Sequence, residues 1–115
     1  MNAPFPAART GAGLVFTSGL AAIDTASMTV SATTFDEQAA IVFDQLDAAL
    51  DAAGSSRAQV LKLDCYLSDR QWFASWNAAF AKFFESAAPA RTTTVTTLPI
   101  EGLFIEIQAI AIAAY

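Results

Sequence analysis

Apolar and polar positions along this chain switch period several times, and each switch marks an element. Residues 14–18 (LVFTS) are a short β-branched run between Gly13 and Gly19, the pattern of a buried strand. Gly11 and Gly13 flank Ala12 in a hairpin turn, which makes residues 3–9 an edge strand. Residues 21–32 form a weaker strand-and-loop stretch. From Phe35 the period becomes three and four. Phe35, Ala39, Val42, Phe43, Leu46, Ala49, Leu50 and Ala53 share one stripe, while Asp44, Asp47 and Asp51 fall outside it. Thr34 with Glu37 makes a capping box at the start of this helix, and Gly54 supplies a left-handed cap at its end.

Alternation returns at 59–67. Leu61, Leu63, Cys65 and Leu67 form a face for helices to cover, with Val60, Lys62, Asp64 and Tyr66 on the other. Ser68 with Gln71 reads as a second capping box, opening a helix over 69–86 with Trp72, Phe73, Trp76, Phe80, Phe83 and Phe84 as its apolar face. After a loop at 87–90, strands at 91–97 and 103–113 are joined by a short turn and are therefore expected to pair. This order predicts an α+β fold with two helices on one face of a single mixed sheet, in one domain over residues 1–115. The other sheet face, expected to carry Arg91, Thr93, Glu106 and Gln108, is left for another subunit to cover.

Composition narrows the function. Hydrophobic residues make up 55% of the chain and charged ones 15%, which excludes disorder and exceeds what one small core hides. Oligomerisation resolves the excess. Six Lys/Arg against eleven Asp/Glu give a net charge of −5, and the cations are scattered singly. No basic stripe is present to displace counterions, so neither nucleic acid nor an anionic membrane is an expected partner. The chain has one cysteine and no histidine, which excludes an internal disulfide, a Cys/His metal site and histidine-dependent triads. The start of the chain lacks the features of a signal peptide, and the apolar run after Leu103 is too short to span a bilayer. A soluble cytoplasmic protein is expected.

Two charged residues stand out in apolar strands. Arg91 follows Pro89 and Ala90, and Glu106 lies between Ile105 and Ile107. Arginine offers a planar fork that matches a carboxylate, and glutamate can hold a water or exchange a proton with it. The alternative is a structural ion pair between the two at an interface.

The segment PARTTTVTTLPIEGLFIEIQAIA at 89–111 closely resembles the C-terminal signature of the RidA/YjgF family. VFTSG at 15–19, FDEQAAIVFDQLDAALDAAG at 35–54 and VLKLDCYLSDRQWFASWNAAFAKFF at 60–84 resemble the family's other blocks, in order. The resemblance implies the chorismate-mutase-like α+β fold, a homotrimer, and small-molecule carboxylate sites in clefts between subunits. It further implies hydrolysis of enamine or imine intermediates of the 2-aminoacrylate/2-iminopropanoate type to a 2-keto acid and ammonia, with no cofactor and no metal. By the same resemblance Arg91 is the carboxylate-binding arginine and Glu106 the water-orienting glutamate. Ser18 and Gly19 contribute pocket backbone, Phe73 and Asn77 match the pocket aromatic and asparagine, and Thr93 stands where a cysteine is frequent. The family's pocket-closing tyrosine has no counterpart, an ungapped count landing on Phe5, and its SGQ reads Ser18-Gly19-Leu20. These two changes remove polar partners and point towards apolar substrates. They also leave room for a non-catalytic trimer that binds small carboxylates or acts like a chaperone, or for a pathway-specific deaminase acting on an aminomuconate-like intermediate.

Overall fold

In a computed structural model, residues 4–113 are described. Ala8–Gly11 (β1) and Leu14–Thr17 (β2) form an antiparallel hairpin around Ala12 and Gly13, whose φ angles are +54° and +77°. Two positive φ values give the turn whose twist matches that of the flanking strands. The edge strand thus runs over 8–11 and not 3–9. Pro4 and Pro6 lack amide donors, so residues 4–7 do not extend the ladder, and Ala3 lies outside the described residues.

Leu20–Ala21 (β3) follows, then a small separate hairpin of Ile23–Asp24 (β4) and Thr29–Val30 (β5). The first helix, Phe35–Ala52 (α1), begins as expected. Thr34 Oγ1 accepts from the Glu37 amide at 3.2 Å and donates to Glu37 Oε1 at 2.9 Å. At its other end Gly54 has φ +73°, and the Ser55 amide reaches back to Leu50 O at 2.8 Å.

Val60–Leu67 (β6), Phe73–Phe84 (α2), Ala90–Val95 (β7) and Ile105–Ile112 (β8) complete the main sheet, whose order is β1-β2-β8-β6-β7 with β3 also on β8. Only β6 and β7 run parallel. The expected pairing of β7 with β8 is therefore wrong, because β6 lies between them. β6, α2 and β7 make a strand-helix-strand unit, which sets β7 parallel beside β6, and residues 96–104 then carry the chain across to the free edge of β6.

Two further expectations change for local reasons. A bulge between Val60 and Lys62 turns Val60 inwards and leaves Leu61 47% exposed, reversing their expected faces. Ser68 does not cap α2, since its amide still bonds Phe104 O at the strand end. Asp69 Oδ1 accepts from the Gln71 amide instead, opening a single tight turn over Arg70–Trp72 before α2 begins at Phe73.

Both helices pack on one face of the sheet. Phe43 of α1 stacks on Phe83 of α2 with ring centroids 4.1 Å apart, and Trp76 is fully buried beneath them. Among the described residues Gln38 is the one buried polar side chain. Its Nε2 donates to Ala32 O at 3.1 Å and Gly102 O at 2.9 Å, while Oε1 accepts from the Phe104 amide at 2.8 Å. This amide ties α1 to the turn that launches β8. Gln38→Leu strands those backbone groups away from water, so it is expected to cost about 2–4 kcal/mol in urea denaturation. A loss under about 0.5 kcal/mol would contradict that role.

Candidate functional site

β2 and β3 both pair with β8, but out of step. Phe16 faces Ile110 while Leu20 faces Ile107, so one extra residue is accommodated over 17–19. Thr17 Oγ1 accepts from the Ala109 amide at 2.9 Å, replacing the lost ladder bond. Ser18 is held by its amide on Ala7 O at 2.8 Å and its hydroxyl on Pro6 O at 2.6 Å. The bulge sends Leu20 into the hydrophobic core and lays Gly19 directly against Glu106. A Cβ on Gly19 would overlap Glu106 Oε2 and sit 3.1 Å from its Cδ. Residue 19 is a glycine because the carboxylate occupies the place of its side chain.

Glu106 pairs across the ladder with Ala21 on one side and Tyr66 on the other. It is half-buried on the sheet face without helices, and among the described residues no group donates a hydrogen bond to it. Burial pushes its carboxyl above the ordinary glutamate range. Beside it on the same face, Gln108 Nε2 reaches Asp64 Oδ2 at 3.4 Å and Tyr66 Oη at 3.3 Å. Lys62 Nζ donates to Thr92 Oγ1 at 2.7 Å.

Arg91 belongs to a different surrounding. Parallel pairing sets Arg91 beside Leu63 and Thr93 beside Cys65, so both side chains point to the helix face. This corrects the expectation that they share the uncovered face with Glu106 and Gln108. Arg91 Nη2 donates to Asn77 Oδ1 at 2.5 Å, and its guanidinium lies 4.8 Å from the Phe80 ring centroid, 5.9 Å from Trp76 and 6.0 Å from Phe73. Trp76 Nε1 donates to Thr93 Oγ1 at 3.0 Å. Among the described residues no carboxylate pairs with Arg91.

The predicted site residues therefore fall into two groups. Ser18 and Gly19 stand with Glu106, and Phe5 joins them along an adjoining cleft. Asn77, Arg91, Thr93 and Phe73 form the second group at the sheet edge. One chain does not bring the groups together: β6 separates them by two strand spacings, roughly 10 Å, and they face opposite sides of the sheet. The ion pair between Arg91 and Glu106 is thereby excluded within the chain. Phe73, expected in the core stripe, is 45% exposed at the mouth of the arginine group. Trp76 and Phe80 were legible as core but not as the rings around Arg91. Their steps of three and seven from Phe73, with Asn77 between, were the available signal. Cys65 is fully buried and its thiol is raised by burial, which leaves it a packing residue.

The family model described as Endoribonuclease L-PSP, which covers the RidA, YjgF and RutC proteins, matches residues 2–113. The chain belongs to this family. RutC family proteins of Pyrococcus horikoshii and of Synechocystis sp. are 33% and 34% identical to it, covering 94% and 95% of this chain and 86% and 85% of theirs. Among solved structures, RidA from the Antarctic bacterium Psychrobacter sp. superposes with a TM-score of 0.85 at 28% identity, covering 95% of this chain and 88% of its own. A YjgF family member of Neisseria meningitidis gives 0.87 at 27%, covering 100% and 92%. The fold is that of the RidA family.

The raised Glu106 carboxyl has a measurable consequence. The folded chain holds this proton more tightly than the unfolded one, so the glutamate lowers stability as pH rises from the unfolded value, about 4.3, through the folded one. Glu106→Gln removes that loss. Its stability relative to the parent is expected to grow between pH 4 and pH 7 in urea denaturation, and a constant difference would contradict the assignment.

Proposed function

We propose that the protein is a hydrolytic deaminase of 2-imino acids, working as a homotrimer whose sites are completed across subunit contacts. The observation that carries this reading is Arg91, a partly buried guanidinium held by an amide and aromatic rings, with no carboxylate partner among the described residues. An arginine fixed this way keeps its charge and its remaining donors for an incoming carboxylate. Glu106 is the complementary half, a carboxylate with no donor among the described residues and raised by burial, as suits a general base. Their separation within one chain supports a site built from Arg91 of one copy and Glu106 of another.

In this reading Arg91 grips the substrate carboxylate and Glu106 positions a water on C2. The C=N bond is already electrophilic, so orientation supplies most of the rate. The water oxygen bonds to C2 and gives a proton to Glu106, while the nitrogen takes one from solvent. Glu106 then returns its proton to the amine as the C–N bond breaks, and the hydroxyl releases one to solvent. Imine and water leave as 2-keto acid and ammonia. Neither a metal nor a redox group is needed at any step.

A carboxylate-binding trimer without catalysis is the second reading, favoured by Phe5, which has no hydroxyl to offer. The ribonuclease named in the family description finds little support here, since a net charge of −5 with scattered cations cannot follow a phosphate backbone. Arg91→Ala and Arg91→Lys are each expected to lower kcat/KM on 2-iminopropanoate by about 100-fold or more while light scattering still gives three chain masses. Unchanged turnover would overturn the assignment of Arg91, and a parent that binds pyruvate without turning over imine would select the second reading. Gly19→Ala displaces the Glu106 carboxylate, so it is expected to reduce kcat at least 10-fold with a smaller change in KM. A raised KM with kcat unchanged would assign Gly19 to binding alone.

A further inference from the structure

Of the three rings that flank Arg91, Trp76 is the most enclosed. It stacks on Phe43 with ring centroids 5.8 Å apart, and Phe80 meets it edge-on at 5.6 Å, so the indole has one orientation. An indole carries a single polar atom, which donates and cannot accept. That atom, Nε1, reaches Thr93 Oγ1 at 3.0 Å. The Thr93 hydroxyl therefore accepts on the indole side and turns its own proton elsewhere. Among the described residues no acceptor takes that proton. Thr93 is half-buried on the edge strand β7, two residues from Arg91 and on the same face. The indole borders both groups, since the Arg91 guanidinium carbon lies 5.9 Å from its ring centroid.

A carboxylate has about four lone-pair sites, so an arginine fork leaves room on it for a further donor. We propose that Trp76 is a positioning residue of the Arg91 site, holding the Thr93 hydroxyl as a fixed donor to the carboxylate that Arg91 grips. The inference rests on the carboxylate-binding role given to Arg91 in the proposed function, and adds to it a side-chain donor and the residue that aims it. A donor oriented in advance needs no ordering when the ligand arrives. Without the indole the hydroxyl turns among three staggered positions and faces the ligand in only one, a loss of about threefold in affinity. Without the hydroxyl the whole charge-assisted bond is lost, about 10-fold or more.

The experiment measures pyruvate binding by calorimetry and 2-iminopropanoate turnover for the parent, Thr93→Val, Thr93→Ser, Trp76→Phe and the Thr93→Val/Trp76→Phe pair. Thr93→Val is expected to raise the pyruvate Kd and the imine KM about 10-fold while kcat stays within about twofold, because the donor serves substrate and transition state alike. Thr93→Ser keeps the hydroxyl and is expected to bind like the parent. Trp76→Phe is expected to weaken binding about threefold in the parent background and to add nothing to Thr93→Val. A tryptophan that only packs gives the same loss in both backgrounds, and that result overturns the inference. A check without any Trp76 variant is the indole N–H proton resonance, assigned against Trp72→Phe. It is expected to shift when pyruvate is added, and a fixed position overturns the inference. Imine turnover with the Thr93→Val KM unchanged overturns the inference and spares the deaminase reading. Pyruvate binding with the expected pattern but no turnover overturns the deaminase reading and upholds the inference.

Discussion

Because β6 pairs with β7 along one edge and with β8 along the other, the two charged residues of the apolar strands cannot meet inside one chain. Strand register then sends Arg91 to the helix face and Glu106 to the bare face. Had β7 and β8 been neighbours with those side chains on one face, the pair would have neutralised itself. A salt bridge would hold the glutamate ionised and occupy the arginine fork, leaving little for a ligand. The inserted strand keeps both groups available.

Each group is kept available by a different means. Arg91 is surrounded by neutral partners: the Asn77 carbonyl fixes one nitrogen, and three rings flank the guanidinium. Such contacts orient a cation without cancelling its charge, and each contributes only about 0.5–1 kcal/mol at partly exposed sites. Glu106 is kept open by subtraction, since the residue beside it has no side chain. The bulge at 17–19 is what brings that glycine into place, and Thr17 Oγ1 compensates the interrupted ladder. One extra residue in the chain thus sets Gly19 against the carboxylate and turns Leu20 into the core.

Periodicity made α1, its caps and the two-helix layer legible, because an amphipathic stripe and its end signals are local properties of the chain. Strand neighbours are not local. The short connection between 91–97 and 103–113 suggested a hairpin, yet nothing in those residues records that the preceding strand-helix unit has already claimed β7. The bulges at Leu61 and at 17–19 were equally hidden, since one inserted residue reverses alternation without changing composition. Gln38 looked like any polar position on a helix, and only the arrival of Gly102 and Phe104 from 64 and 66 residues away gives it partners. For the site, resemblance pointed to the residue types, and the fold places them in two separate groups on opposite faces of the sheet.

The edges of the sheet bear on how those halves could be joined. Natural edge strands are protected from pairing by charge, proline or bulges. β1, at one edge, is short, follows two prolines and carries Arg9. β7, at the other, is ARTTTV, with its one charge turned to the helix face and Val95 49% exposed. Thr92 is already engaged by Lys62 on the bare face. This edge is β-branched, unprotected and adjacent to the Arg91 group, the arrangement expected where a second copy covers it. The proposed trimer needs a neighbour's Glu106 group beside Arg91, and this open edge lies next to the arginine. Assembly and site completion would then be one event, and a variant unable to assemble would lose the chemistry with both half-sites intact.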